Sequence, residues 1–390
     1  EFTYELIQRV AELPEKTLLS RLSVLKDTEL IYERGIYPES SYIFKHALTQ
    51  EVVYNSILGK RTKQLHEKIG QAIEELHQNN LDEYYEVLAD HFMKAENFEH
   101  AEAYCRLISR KAAKKNFIED AIAYAQKRLE CLEGLPQTDD VREKIIDTRT
   151  QLGFYYLQMY YFVAAKEAVA PIVETALKYG HGRQLSRAQI IEGAYNVWIM
   201  EDMPEAYKHL DKAIAVCGEM NDFISLVWAQ AELGAATGVN CEFAKAASNY
   251  QSNIDLAEKT NSKWGLALPK SSHSFFVLSF QGKVDHGYKI SREAVQLAEE
   301  SADILSKAQS YTCHGVSCYR KGFLEEAENY LAEGSNACDK INLFLWGSVG
   351  QHSLGEVYYE IGDYTKAIDC HLFAASMANK IQFLPSFQNL

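Results

Sequence analysis

The chain has 390 residues, of which 47% are hydrophobic and 24% charged, and its net charge is −14. This composition is ordinary for a folded protein, while the length exceeds the roughly 250–300 residues that a single core usually covers. The acidic balance disfavours nucleic acid as a partner, since phosphate backbones need clustered Lys and Arg. The sequence has no run of about 18 apolar residues that would predict a membrane-spanning helix. We therefore expect no membrane partner, and either several domains or an array that grows in one direction.

The first 46 residues differ in pattern from everything after them. Residues 4–11 and 14–28 show the apolar spacing of short helices, and the alternating segments Leu30–Arg34 and Ser41–Lys45 predict a two-stranded ribbon. Two helices followed by a ribbon are typical of the end of a winged-helix domain. Residues 1–80 hold ten Lys or Arg against twelve Asp or Glu, so we interpret this domain as a structural spacer rather than a DNA reader.

A more specific pattern follows the ribbon. The segment Phe44–Tyr54, with Arg61, His66 and Ile69 after it, resembles the junction behind the winged helix in bacterial STAND-type signalling ATPases. Many of those proteins carry a class III adenylate or guanylate cyclase domain N-terminal to the ATPase. The resemblance covers residues 1 to about 135. It implies a longer parent protein with an N-terminal ATPase, and the start of the chain, with neither an initiator Met nor a signal peptide, predicts a fragment as well.

His46 is the residue that this resemblance singles out. It stands in the place of the winged-helix histidine that touches the bound ADP phosphate in related disease-resistance and apoptotic ATPases, which implies a nucleotide-sensing role in the parent. That family's Met-His-Asp motif reads Lys45-His46-Ala47 in this chain. The alternative interpretation is that His46 caps the corner between strand and helix by hydrogen bonds.

From Lys60 onward the apolar spacing is helical, and Gly134–Asp140 is the clearest break in the chain. Beyond this break a unit of 40 or 41 residues recurs. Each unit has a small residue at the helix crossing, a large apolar residue three positions earlier and, in most units, a small residue twelve positions earlier. The crossing residues are Ala165, Ala206, Ala246, Gly287, Ala327 and Ala367.

The clearest copy of the unit, Leu354–Ile368, closely resembles a tetratricopeptide (TPR) unit. A 40-residue period leaves room for two helices of about 16–18 residues, longer than those of the standard unit. We therefore predict an all-α fold, namely a TPR-like right-handed superhelix of antiparallel helix pairs with about 40 residues per repeat. A small N-terminal winged-helix remnant carries the two-stranded ribbon. The residues that carry the TPR resemblance are Gly355, Tyr358, Gly362, Tyr364 and Ala367.

The predicted domains are three. Residues 1–58 form the winged-helix remnant and a junction helix, residues 59–134 form atypical helical pairs, and residues 135–390 form about six TPR-like repeats. Each pair buries its apolar face only against its neighbours, so stability is shared along the stack. The end of the chain, Phe383–Phe387, is too apolar for a solvated cap, which predicts more solenoid or a capping helix in the parent.

Aromatic residues recur along the predicted concave wall. In a TPR superhelix the first helix of each pair lines that wall, and aromatic side chains there suit a protein or peptide partner because they bury much area with few torsions to fix. For any single residue, packing between helices is the alternative. A clamp for C-terminal carboxylates is not predicted, because its Asn column reads Tyr195, Ala235, Phe276, Val316 and Glu356. The predicted groove residues are Phe154, Tyr195, Trp198, Trp228, Phe276, Phe280, Tyr319 and Tyr359.

Known signatures of catalysis are missing from the sequence. It has no P-loop, no G-x-S-x-G elbow, no H-E-x-x-H helix and no EF-hand loop, so we expect neither an enzyme nor a cofactor in this chain. The eight cysteines are interpreted as buried thiols of a reducing cytosol. Cys313 and His314, with Cys318 one turn further on, lack additional ligands nearby, so we interpret them as packing residues and expect no metal.

Three hypotheses about function fit these patterns. The first is a non-catalytic protein- or peptide-binding sensor or scaffold that regulates an ATPase or cyclase domain N-terminal to this chain. Its partners are a protein or peptide and the parent's own ATPase domain, self-association through the solenoid is a further expectation, and the expected location is the cytoplasm. The alternative is a small-molecule-sensing helical-repeat domain like that of maltose-type transcriptional activators. A plain assembly scaffold without a switch is a third hypothesis.

Overall fold

The computed structural model describes residues 1–179 and 182–382. The chain forms two compact units, residues 1–111 with 123–145 and residues 112–122 with 146–390. The apolar end at Phe383–Phe387 lies outside the described residues. In the part of the chain that is described, no helix is both long and apolar enough to cross a membrane.

The first unit begins with a small antiparallel sheet. Strand β2 (Ile31–Arg34) pairs with β3 (Ser41–Phe44), which confirms the predicted ribbon. A third strand, β1 (Phe2–Thr3), pairs with the other edge of β3, so the strand order is β1-β3-β2. With only two residues, β1 is too short for its alternation to be read from the sequence. Two helices cover the sheet, α1 (Tyr4–Ala11) and α2 (Glu15–Asp27), and the shared core contains Tyr4, Leu18, Leu22, Ile31 and Tyr42.

Helices make up the remainder of the first unit. Gly70 on α4 allows the Phe92 ring of α5 to approach closely, because a Cβ at position 70 would lie 2.8 Å from that ring. The core around this contact is continued by Leu88, Ala101 and Cys105. The helices from residue 47 up to the chain break at Gly134 are α3 (Ala47–Asn55), α4 (Gly59–Leu76), α5 (Tyr85–Ala95), α6 (Phe98–Lys114) and α7 (Ile118–Glu133), with a 3₁₀ turn at Leu81–Glu83. Of these, residues 112–122, at the end of α6 and the start of α7, belong to the second unit.

The second unit is a stack of antiparallel helix pairs. From α12 onward the uninterrupted helices are 17 or 18 residues long, which confirms the predicted TPR-like pairs with long helices. Two first helices end in a π-helical turn, at Asn196–Met200 and Ser274–Ser279, and a 3₁₀ turn at Ala170–Ile172 separates α9 from α10. The helices are α8 (Asp139–Gln158), α9 (Phe162–Val169), α10 (Val173–Tyr179), α11 (Gly182–Tyr195), α12 (Met203–Glu219), α13 (Phe223–Val239), α14 (Phe243–Lys259), α15 (Lys263–His273), α16 (Val284–Ser301), α17 (Ile304–Lys321), α18 (Leu324–Lys340), α19 (Phe344–Ile361) and α20 (Tyr364–Lys380). Residues 139–145 of α8 belong to the first unit.

The recurring small residues lie where helices cross. Ala165, Ala206, Ala246 and Ala327 are completely buried, and Ala367 is nearly so. The small residues twelve positions before the crossing residues also lie at close helix contacts. A Cβ on Gly315, for example, would lie 2.6 Å from the Leu331 side chain of the paired helix. Small residues at these positions therefore set how closely the two helices of a pair approach.

Several turns between helices share one local geometry. Asn221 and Asn261 adopt positive φ after a helix ends, as does Gly362, and these residue types tolerate the left-handed region best. The next residue then caps the following helix: the Asp222 side chain accepts a hydrogen bond from the Ser225 N–H, and Asp363 accepts one from the Lys366 N–H. This pairing explains why a short polar dipeptide can end one helix and start another.

Candidate functional site

A continuous network of aromatic rings, most of them buried, runs through the second unit. Trp346 on α19 lies 5.4 Å from Phe275 and 6.2 Å from Phe276, measured between ring centroids. Phe276 in turn lies 6.0 Å from Trp198, whose ring stacks on Phe162 at the same distance. We call this network the aromatic cluster; its members are Phe154, Tyr160, Phe162, Trp198, Trp228, Phe275, Phe276, Phe280 and Trp346.

The two π-helical turns place aromatic side chains in the cluster. One turn carries Trp198 and the other carries Phe275 and Phe276. A π turn inserts one residue into the helical spiral, which rotates the following side chains, and such turns often occur at functional sites. Phe275 stands in the column where most units have a small residue. The crossing residue of the same unit, Gly287, has only ordinary contacts, since an added Cβ would lie 3.6 Å from the nearest atom, Leu278 Cβ.

Glu232 is a buried carboxyl group beside these rings. Its side chain accepts a hydrogen bond of 2.9 Å from the Trp198 indole N–H, and the residue is only 4% exposed. Burial raises the pKa of Glu232 to about 7, and the Trp198 hydrogen bond opposes only part of that effect. The carboxyl therefore changes charge near neutral pH.

Long-range contacts tie the beginning of the second unit to the turns before α17 and α19. The Asn116 amide donates to Asp303, 187 residues further along the chain, at 2.6 Å. The Asn342 amide donates to Glu119 over a separation of 223 residues. The Tyr161 hydroxyl donates to the Asn342 carbonyl at 2.9 Å. Segments far apart in sequence are thus in direct contact within the second unit.

A cavity of about 890 Å³ lies at the C-terminal end of the second unit. Its walls come from the π turn after α15, from α17, α19 and α20, and they include Phe275 and Phe280 from the aromatic cluster. The remaining side chains combine apolar and polar groups, and we refer to this space as the C-terminal cavity. Its polar and aromatic lining residues include Tyr319, Arg320, His352, Glu356 and His371.

Two histidines and a glutamate meet on the wall of this cavity. His352 and Glu356 follow each other by one turn on α19, and His371 comes from α20. The imidazole centroids of His352 and His371 are 5.0 Å apart, and His371 Nε2 lies 3.7 Å from Glu356 Oε1. One ligand atom from each residue lies within 4.8 Å of the other two, which places a metal within reach of all three.

A second such group is buried between helices. His314 and Cys318 on α17 approach Glu326 on α18, again with ligand atoms within 4.8 Å of one another. His314 Nδ1 already shares a 2.8 Å hydrogen bond with Ser291, and Glu326 accepts from the Tyr288 hydroxyl at 3.0 Å. Burial raises the pKa of the Cys318 thiol to about 12, so a thiolate ligand is disfavoured. These residues form a satisfied polar contact inside the stack.

The predicted groove residues divide into three sets. Phe154, Trp198, Trp228 and Phe276 are buried members of the aromatic cluster. Phe280 and Tyr319 line the C-terminal cavity. Tyr195 is half-buried under the Lys166 ammonium, which lies 4.3 Å from its ring centroid, and Tyr359 is exposed and contacts the Tyr364 ring.

The residues that carry the STAND resemblance lie in the first unit. His46 is the N-cap of α3, its carbonyl accepts from the Thr49 N–H, and its exposed side chain makes no capping hydrogen bond. The Tyr54 hydroxyl is 2.9 Å from His66 Nε2, and His66 Nδ1 is 2.8 Å from His91 Nδ1. Burial lowers the pKa of His91 to about 4, with the neighbouring His66 as the second cause. The chain of polar contacts at this junction thus runs through His66, which is its buried member.

Sequence reasoning missed the polar side of the C-terminal cavity. In the sequence, Glu356 stands out only as an exception in the Asn column, and no pattern points to His352 or His371. His352 and Glu356 stand at i, i+4 spacing, which is a usable signal for one helix face. His371 lies 15 residues further on, on another helix, so only the pairing of α19 with α20 brings it close.

Neither a protein-family model nor a curated protein matches this sequence. Among solved structures, a Rap protein complexed with competence and sporulation factor is similar over 97% of this chain and 96% of its own, with a TM-score of 0.59 and 14% identity. The Rap conjugation gene regulator of the plasmid pLS20, in complex with the Phr* peptide, is similar over 85% of this chain and 93% of its own, with a TM-score of 0.59 and 14% identity.

A signal transduction ATPase with numerous domains (STAND) from Pyrococcus horikoshii, which has a tetratricopeptide repeat sensor, is also similar. The similarity covers 97% of this chain and 57% of the STAND protein, with a TM-score of 0.51 and 15% identity. This chain therefore spans little more than half the length of that protein. At such low identities the three likenesses show the fold, a TPR-like helical repeat.

Proposed function

We propose that this chain is a non-catalytic sensor module that binds a peptide, or an extended segment of a protein, in the C-terminal cavity. The observation that carries the proposal is the cavity itself. Its volume of about 890 Å³ falls within the usual range of ligand pockets, roughly 300–1,000 Å³. Ligand pockets combine apolar and aromatic walls with a few polar groups that orient the ligand, and this one has both.

The chemistry of the lining suits a peptide. Phe280 is 54% exposed and Tyr319 half-buried, so each offers a ring face to an apolar side chain. The Arg320 guanidinium and the Glu356 carboxylate supply a donor and an acceptor for polar groups of a peptide backbone. The structurally similar Rap protein was solved with competence and sporulation factor, and the plasmid regulator with the Phr* peptide. They support a peptide as the class of ligand.

A displayed library of short random linear peptides, panned against the whole chain, tests the proposal. We expect enrichment of peptides with apolar or aromatic side chains, and direct binding of a selected peptide measured by fluorescence anisotropy. Because aromatic anchors dominate interface energies, Phe280→Ala and Tyr319→Ala should each weaken binding by about tenfold or more.

Tyr359→Ala is the matched control. Tyr359 is 60% exposed, close to the 54% of Phe280, and lies outside the cavity lining, so its removal should leave the dissociation constant within about twofold. Equal losses in the Phe280 and Tyr359 variants would place binding elsewhere. A small metabolite that binds tightly and displaces every selected peptide would favour the small-molecule sensor instead.

We also propose that the first unit couples this module to a nucleotide-hydrolysing domain in a longer parent protein. The support is the motif Phe44–Tyr54, the two helices with their sheet at residues 2–44, and the fold similarity to a STAND protein with a TPR sensor. In that parent, winged-helix residues would act as the spacer and His46 as a candidate nucleotide sensor. Deleting residues 135–390 from the parent should change its nucleotide turnover or cyclase output; unchanged regulation would refute the coupling.

A further inference from the structure

The proposed peptide site uses the Glu356 carboxylate but gives no role to the two imidazoles beside it, His352 and His371. All three residues line the C-terminal cavity, and all three are half-buried. Their ligand atoms converge within 4.8 Å. We propose that they form a binding site for a divalent transition-metal ion of the Zn²⁺ type. This inference does not depend on the identity of the cavity's ligand.

The donor set supports this class of ion. Two imidazole nitrogens with one carboxylate oxygen form a ligand set found in three-ligand zinc sites, which keep a further position open. Hard cations such as Mg²⁺ prefer oxygen ligands and are poorly served by two histidines. Borderline ions such as Zn²⁺ bind imidazole and carboxylate together.

The distances between the ligand atoms need only a small adjustment to suit a zinc ion. Ligand atoms around a tetrahedral zinc ion lie roughly 3.3 Å apart, because Zn–N and Zn–O bonds are about 2.0–2.1 Å long. Glu356 and His371 are already at 3.7 Å. Rotation about side-chain torsions of half-buried residues can close the remaining distance without moving the helices.

Gly355 makes the approach of His371 possible. A Cβ at position 355 would lie 2.7 Å from His371 Cε1 and 2.8 Å from its Nε2, so the imidazole packs directly on the backbone of α19. Gly355 belongs to the column of small residues that sets helix spacing in the stack. At this repeat the same small residue leaves room for a ligating ring next to Glu356.

The hydrogen bond that Glu356 accepts from a neighbouring side chain is compatible with metal binding. The Tyr319 hydroxyl donates a long hydrogen bond of 3.5 Å to Glu356 Oε2, which leaves the Oε1 atom facing His371. Hydrogen bonds of this kind orient the ligating groups of metal sites.

The position of the cluster on the cavity wall determines what else a bound ion can coordinate. Because its three ligands line the cavity wall, a bound ion has its open coordination position on the cavity side. A carboxylate, imidazole or thiolate of whatever occupies the cavity can complete the coordination shell. The buried group of His314, Cys318 and Glu326 offers no such access, since it does not contribute to the cavity lining.

The test is direct metal binding to the whole chain. The protein is treated with chelator, dialysed, and titrated with Zn²⁺ by calorimetry, and we expect one equivalent to bind with Mg²⁺ failing to compete. His352→Gln with His371→Gln should abolish this equivalent. Glu356→Gln should weaken it by at least the roughly 10–100-fold that loss of an outer partner of a metal ligand costs. Gly355→Ala should weaken it as well, because the added methyl group displaces the His371 ring.

Two control variants and one spectrum make the test specific. His286→Gln removes an exposed histidine of the same unit, and Cys318→Ala removes a ligand from the buried group; both should keep the equivalent. Co²⁺ bound to the unmutated chain should show visible d–d bands without a thiolate charge-transfer band. No stoichiometric Zn²⁺, an equivalent that survives the double histidine change, or a thiolate band would each overturn the proposal.

Discussion

Glu232 combines two properties that rarely occur together: it is almost fully buried and it has no cationic partner among the causes that shift its pKa. An isolated carboxylate is expensive in an apolar surrounding, so the neutral acid is favoured. The Trp198 N–H is a donor only, and it satisfies one oxygen in either protonation state. The structure therefore ties the charge of this residue to the stability of the second unit.

This link predicts a pH dependence. The pKa of Glu232 is about 7 in the folded chain and 4.5 ordinarily, so the folded state binds more protons between these values. The free energy of unfolding should then fall as the pH rises from 4.5 to 7 and level off above, by up to about 3 kcal/mol. Glu232→Gln removes this component. Urea unfolding at pH 5 and pH 8 should show the variant gaining stability relative to the unmutated chain at the higher pH.

The effect must be measured as the difference in unfolding free energy between the Glu232→Gln variant and the unmutated chain, because other groups titrate in the same pH range. Burial lowers the pKa of His273 and of His314 to about 4, so these residues add stability as the pH rises from 4 to 6.5. Glu219→Gln, at an exposed position, is the control and should follow the unmutated chain at both pH values. An identical pH response of the Glu232 variant would contradict the assignment.

Individual residues were predictable where they repeat. The column from Ala165 to Ala367 was recognised as small from its spacing alone, and its residues are buried at helix crossings. The histidine and glutamate cluster occurs once, so no period points to it. His371 approaches Glu356 only because Gly355 is adjacent, and that is a property of the packed helix pair rather than of either helix.

At the level of helices, the glycine column explains how two long helices pack side by side. Gly234 faces the Tyr250 ring, where an added Cβ would lie 2.9 Å from ring atoms, and Gly315 faces Leu331 in the same manner. Contacts below 3.0 Å force a neighbour to move. At position 315 the Leu331 side chain, at 2.6 Å, has to move, and the Leu331 backbone nitrogen, at 3.0 Å, leaves it little room to do so.

Gly315→Ala should therefore destabilise the second unit. Overpacking of this kind costs about 1–3 kcal/mol. Gly218 provides the matched control, since it also lies in a helix but has nothing within 4 Å of an added Cβ. Gly218→Ala should be neutral or stabilise by up to about 1 kcal/mol, because Ala is the better helix former. Denaturant unfolding of both variants measures the contrast; equal effects would mean that packing does not select the small residue.

The helix pairs themselves were largely predictable, and their interruptions were not. Turn residues such as Asn261-Ser262 and Gly362-Asp363 combine a positive φ with an N-cap, which is a signal in the sequence. The π turn at Ser274–Ser279 has no comparable signal. Phe275, a large residue in a column of small ones, marks this unit as unusual. It does not indicate that the helix takes in the large side chain by forming a π turn with an extra residue.

At the scale of the whole second unit, the aromatic cluster connects helices that are remote in sequence. Tyr160, in the turn between α8 and α9, lies 6.4 Å from Trp346 on α19. The TPR-like fold followed from the 40-residue period, because each unit packs on its neighbours. A period carries no information about units that are not neighbours, so the contacts across the interior could not be predicted.

Trp346→Ala tests the importance of these contacts. Trp346 is 2% exposed, and removal of a buried Trp side chain costs about 3–5 kcal/mol. Trp264→Ala is the control: Trp264 is 38% exposed, so the loss should be clearly smaller. Thermal or denaturant unfolding gives both values. A Trp346 variant as stable as the Trp264 variant would show that the cluster contributes little.

The hydrogen bonds from Asn116 to Asp303 and from Asn342 to Glu119 have a consequence for folding. A linear array of repeats can nucleate anywhere and fray from its ends, since all its contacts are local. Contacts over separations of 187 and 223 residues raise the contact order, and loops of that length must close before these bonds form. We expect the second unit to fold more slowly than an open array of equal length. The amide hydrogens of its terminal helices should exchange at rates similar to those of its middle helices.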